Sequence, residues 1–93
     1  MIKSFGDKRT VAVFRETPVK GVGDQVARSA KRKLDLLHAA VRVEELFTPP
    51  GNRLERLRGD RQGQWSIRVN DQWRICFRWD GCDAHDVELV DYH

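Results

Sequence analysis

Two groups of residues in this sequence are suited to chemistry: a run of arginines, and three proton-handling side chains at its end. Between Arg53 and Arg78 there are seven arginines, no lysine and three acids. From Asp80 onward there are five acids and neither Lys nor Arg. A guanidinium fork meets two phosphate oxygens at once, whereas an ammonium acts as a point charge. This density points to a polyanion such as nucleic acid. Ion pairing of solvated strand faces with the acidic tail is the alternative. The closing Asp91-Tyr92-His93 sets a carboxylate, a phenol and an imidazole in succession. Such groups can take part in general acid–base catalysis, and a frayed polar tail is the competing reading.

Other chemistries find little support. His38, His85 and His93 are isolated, and Cys76 and Cys82 lack a CxxC spacing, so no zinc site is signalled. There is no P-loop, no GxGxxG and no Ser-His-Asp order. The expectation is an activity with no metal and no cofactor. Cys76 lies in an apolar run and reads as a small buried residue, and Cys82 falls in a turn. Free thiols, the lack of an apolar leader and the lack of any run able to span a bilayer imply a cytoplasmic chain with no membrane partner.

The elements that must position these residues follow from periodicity. A formal net charge of +3, 40% hydrophobic and 33% charged residues suit one thin-cored domain over residues 1–93. Ile2 to Phe5 reads as a short strand. Asp7 is a helix cap for Lys8 to Glu16, and Thr17-Pro18 ends that helix. Asp24 caps a second helix from Gln25 to about Phe47, with Val26, Ala30, Leu34, Leu37 and Val41 on one face. Val41-Arg42-Val43 marks a bend or break within it. Thr48 to Asn52 closes the helical half.

From there the period is two. Leu54 to Arg58 reads as a first strand, and residues 59–63 form a turn. Trp65, Ile67 and Val69 alternate with Ser66, Arg68 and Asn70. Trp73, Ile75, Phe77 and Trp79 alternate with Arg74, Cys76 and Arg78. A last strand puts Val87 and Leu89 with Asp91, opposite Glu88 and Val90. The fold class is therefore α+β, with two N-terminal helices packed on one face of an antiparallel sheet. The other face, with Ser66, Arg68, Arg74 and Arg78, is expected to be open to solvent.

The stretch Leu57 to Phe77, LRGDRQGQWSIRVNDQWRICF, and the ending Val90-Asp91-Tyr92-His93 resemble HigB-type toxins of the RelE/ParE superfamily. Met1 to Phe5 and the length are also similar, so the resemblance runs end to end and is strongest after Leu54. It implies a RelE/ParE-like fold and a ribosome-dependent endoribonuclease, or mRNA interferase, that cuts mRNA and inhibits translation. It also implies neutralisation by a HigA-like helix-turn-helix antitoxin, so that antitoxin, ribosome and mRNA are the expected partners. Carried over by position, Arg74, Asp91, Tyr92 and His93 fall on catalytic positions and Arg58 on a Lys/Arg position. Arg61, Arg68 and Arg78 are candidates for holding the RNA backbone, although Arg61 equally suits a structural pair with Asp60. Some relatives carry a histidine just before this stretch where this sequence has Glu55, so the general base is open between Glu55 and His93. Two other classes stand beside the nuclease. One is a ParE-like toxin that poisons DNA gyrase without cutting RNA, and the other a module whose sheet face only docks a partner.

Overall fold

The computed structural model describes residues 1–92; His93 lies outside the described residues. Helix α1 spans Lys8–Phe14 and helix α2 Asp24–Ala39. Four antiparallel strands follow in the spatial order β1-β2-β3-β4: Glu55–Arg56, Gln64–Arg68, Trp73–Asp80 and Asp83–Asp91. Short 3-10 turns occupy Val43–Phe47, Pro50–Asn52 and Gly59–Arg61.

Alternation decides which side of the sheet meets the helices. Ile67, Ile75, Phe77, Val87 and Leu89 are fully buried, together with Ala30, Leu34 and Leu37 of α2. Fully burying one such large side chain is worth roughly 1.5–3 kcal/mol, so this seam carries most of the cohesion. Trp73 is 6% exposed, and Arg9 of α1 lies over its ring at 5.1 Å. Trp65 and Trp79 pack at the margin of the core. Arg68 and Arg74 are paired in register on the opposite face, as expected.

Several boundaries differ from expectation for local reasons. Asp7 does cap α1, its carboxylate accepting from the Thr10 N–H at 2.8 Å. Asp24, by contrast, is the first residue of α2, and Gly23 holds the cap position. Helix α2 stops at Ala39 rather than running to Phe47. The Val41-Arg42-Val43 break is complete, and Glu45 takes the Val41 and Arg42 N–H groups at 3.0 and 2.8 Å. Strand β1 keeps only two of the five residues expected.

The strand expected over residues 2–5 is reduced to two parallel bridges, Ile2 with Ala84 and Phe5 with Val87. Those bridges close the outer edge of β4. The Ala84 and Val87 N–H groups donate to the Met1 and Ser4 carbonyls at 3.0 Å. Helix α1 finishes the edge: the Leu89 N–H donates to Thr10 Oγ1 at 2.8 Å, and Arg9 Nη2 donates to the Leu89 carbonyl at 2.8 Å. An edge strand so occupied offers few free groups to another chain.

Thr10 is fully buried, so replacing its hydroxyl with a methyl orphans the Leu89 N–H at nearly constant volume. Thr10→Val should lower unfolding stability by about 1–3 kcal/mol in urea titration. An unchanged midpoint would show that this edge contact contributes nothing.

Candidate active site

The outer face of the sheet is built in cross-strand rows. Opposed residues of antiparallel strands share a face. Glu55 is opposite Ser66, Ser66 opposite Cys76, and Cys76 opposite Glu88, so one row crosses all four strands. Arg68, Arg74 and Val90 form the next row. This face was expected to be open, yet Ser66 is 0% exposed, and Cys76 beside it is 0% exposed, as its apolar run suggested. Long side chains lie across them.

Arg74 is the most enclosed of these, with its side chain 12% exposed. Its Nε donates to Ser66 Oγ at 2.9 Å and its Nη2 to the Arg53 carbonyl at 2.7 Å. Glu55 pairs with it at 3.5 Å while staying half exposed. Arg53 offers its carbonyl from a left-handed conformation, φ 45° and ψ 55°, which costs a non-glycine residue about 1–2 kcal/mol.

Arg61 reaches the same face from the 3-10 turn. Gly59 opens that turn and Gly63 follows it, with φ of 65° and 90°. Nothing lies within 4 Å of where their Cβ atoms would be, so backbone conformation, not space, requires glycine there. Arg61 pairs with Glu88 at 3.1 Å and donates to Gln64 at 3.1 Å, in place of the pairing with Asp60 considered from sequence. Burial disfavours its charged form, but Cys76, Glu88 and Tyr92 outweigh that and raise its pKa.

Tyr92 completes the group. Its N–H donates to the Gln72 carbonyl at 2.6 Å, and its phenol interacts electrostatically with the Cys76 thiol. Burial pushes the phenol pKa up and Cys76 adds to this, while Arg61 and Arg74 oppose. The Cys76 thiol is likewise pushed up by burial, against Arg61 and Tyr92. Both groups therefore carry their protons near neutral pH.

The site residues expected from sequence thus divide. Arg74, Glu55, Arg61 and Tyr92 come together around Ser66 and Cys76. Arg68 is in the Arg74 row and pairs with Asp71. Arg78 is four residues from Arg74 along β3, roughly 13 Å, and pairs with Asp86 at 2.7 Å. Arg58 is exposed just beyond β1. Asp91 is in register with Trp73, on the helix-side face rather than beside Arg74, and Gln72 Nε2 donates to it at 3.2 Å. His93 lies outside the described residues. Sequence reasoning missed Ser66, Cys76 and Glu88 as parts of the site. Two small residues amid arginines on one face were the available signal.

Among the described residues, no cluster of His, Cys, Asp or Glu could hold a metal ion, and no helix is long and apolar enough to cross a membrane.

Tyr92 is the sole tyrosine of the sequence, so phenolate absorbance reports it alone. Its spectroscopic midpoint should lie above 10, the ordinary phenol value. A midpoint at or below that value would mean that the two arginines outweigh burial and Cys76.

Comparison with known proteins agrees with this architecture. The family described as RelE-like toxin of type II toxin-antitoxin system HigB matches residues 3–93. Endoribonuclease HigB of Proteus vulgaris is 36% identical over 93 residues, covering 100% of both chains. Toxin HigB-1 of Vibrio cholerae serotype O1 is 52% identical over 48 residues, covering 52% of this chain and 50% of that one. The fold is shared with a YoeB-YefM complex from Staphylococcus aureus, at a TM-score of 0.62 and 12% identity, over 100% of this chain and 98% of that one. The chain belongs to the HigB-like, RelE-like toxins of type II toxin–antitoxin systems.

Proposed function

We propose that this toxin is an endoribonuclease that cuts mRNA on the ribosome in the cytoplasm and is held in check by a HigA-like helix-turn-helix antitoxin. The observation that carries the reading is the meeting of Arg74, Arg61, Tyr92 and Glu55 above one cross-strand row. The relative named an endoribonuclease aligns over the whole chain, and the structural neighbour is a toxin–antitoxin complex, which supports an antitoxin partner.

RNA cleavage by its own ribose needs three things. The 2′-OH must lose a proton, the pentacoordinate phosphorus must be stabilised, and the 5′ oxygen must gain a proton as the P–O5′ bond breaks. Arg74 and Arg61 supply fixed positive charge for the phosphate. Tyr92, protonated near neutral pH, gives its proton to the leaving 5′ oxygen. Glu55, half exposed beside Arg74, takes the 2′-OH proton, with His93 as the other candidate base. The products are a 2′,3′-cyclic phosphate and a free 5′-OH. Arg68, Arg78 and Arg58 lie where an RNA backbone crossing the sheet would pass. Asp91 acts indirectly, through Gln72, on the backbone that aims Tyr92.

Arg74→Ala should slow mRNA cleavage on programmed ribosomes about 10²- to 10³-fold if the guanidinium meets the phosphorane. Removing Tyr92 and His93 should abolish cleavage with little change in melting temperature, because Tyr92 does not belong to the core cluster. The surface control Arg32→Ala should cut at the wild-type rate. Full-rate cutting by the shortened, folded chain would refute the catalytic role of these residues. Growth arrest by the wild type without ribosome-dependent cleavage would favour gyrase poisoning instead.

A further inference from the structure

The two central residues of the outer sheet face are the anomaly of this fold. Strand alternation directs Ser66 and Cys76 away from the helices, yet neither has any exposed surface. They are covered by the site itself. Ser66 Oγ accepts from Arg74 Nε at 2.9 Å, and the Cys76 thiol interacts electrostatically with the Tyr92 phenol. They face each other across the β2–β3 pair, so one small side chain lies under each functional group. Anything bulkier at either position would lift the guanidinium or the phenol off the sheet.

We propose that Ser66 and Cys76 are positioning residues, a two-residue floor that fixes Arg74 and Tyr92 before any substrate arrives. The inference rests on the nuclease reading only for its catalytic consequence; the positioning itself is a property of the free protein. A free arginine samples many rotamers, and ordering one at the moment of binding lowers affinity. Here the Ser66 hydroxyl, the Arg53 carbonyl and Glu55 hold the guanidinium already. The Ser66 contact engages Nε and the Arg53 contact one Nη2 hydrogen. Among the described residues nothing bonds Nη1, which leaves that nitrogen for a phosphate oxygen. Groups fixed in advance reorganise least as charge develops, which is how electrostatic catalysis gains most. Ser66 and Cys76 touch neither substrate nor reacting atoms in this account and act through their neighbours.

The test uses the free full chain and programmed ribosomes with four variants: Ser66→Ala, Cys76→Ala, Arg74→Ala and Ser66→Ala with Arg74→Ala. In the free protein, nitrogen-15 NMR should find the Arg74 Nε–H slow to exchange with water, and Ser66→Ala should speed that exchange about tenfold or more as the hydrogen bond is lost. Cys76→Ala should lower the Tyr92 phenol midpoint. On ribosomes, Ser66→Ala should cut about tenfold more slowly at saturation, with half-saturation little changed, and should cost less than about twofold further once Arg74 is already alanine. That last comparison separates positioning from a general loss of stability, which would lower activity in both backgrounds alike. Rapid Nε–H exchange in the wild type, unchanged exchange or cutting in Ser66→Ala, or equal losses in both backgrounds would each overturn the proposal. A wild type that cuts no RNA but shows the protected Nε–H would refute the nuclease reading while leaving the floor in place.

Discussion

The register of β3 is the constraint on which the rest depends. This strand is paired on both sides, by β2 and β4, and is buried on both faces at its centre. Ile75 and Phe77 enter the helix-side core, so Arg74 and Cys76 have no choice but the other face. A slip of one residue would put guanidinium groups into the core and the tryptophan into solvent. Unpaired buried charge is costly enough to exclude that arrangement. The apolar core and the candidate site are thus two readings of a single alternation.

The site in turn is defined by what the sheet lacks. Long side chains cannot lie close against a strand face unless the residues beneath are small. Serine and cysteine supply that space at the centre, while Glu55 and Glu88 at the two ends of the row hold Arg74 and Arg61. The two central arginines are therefore partly neutralised in the free protein. In the proposed reading the field they offer RNA is weaker than a count of arginines implies, and these carboxylates would have to share or release their partners when a phosphate arrives.

Much of this was legible in the sequence. The period-two runs from Trp65 to Trp79 fixed the hairpin and its two faces, and Val41-Arg42-Val43 betrayed the end of α2. The family resemblance pointed to Arg74, Tyr92 and Glu55, which the fold brings together. Tertiary partners were less accessible. Nothing local says that Arg61 will choose Glu88 over Asp60, because that depends on how the Gly59–Arg61 turn folds back over the sheet. The left-handed Asp86, φ 54°, sits where the β3–β4 register shifts, allowing Ala84 and Val87 both to face inward. Simple alternation hides that bulge. The placement of Asp91 with Trp73 was implicit in the strand pattern, which set it with Val87 and Leu89, although the resemblance implied a catalytic role for it beside Tyr92 and His93.

In the proposed mechanism catalytic power would come from charge and a phenol carried on the sheet, with the ribosome supplying substrate alignment. Its central claim is that RNA meets the outer face at Arg74 and Arg61. The most direct measurement is side-chain NMR of the arginine Nε–H groups during titration with a single-stranded RNA made uncleavable by 2′-O-methylation. The account predicts that the Arg74 and Arg61 signals shift together, while those of Arg28 and Arg32 on α2 stay in place. Shifts confined to the α2 arginines, with Arg74 and Arg61 unmoved at saturation, would contradict it.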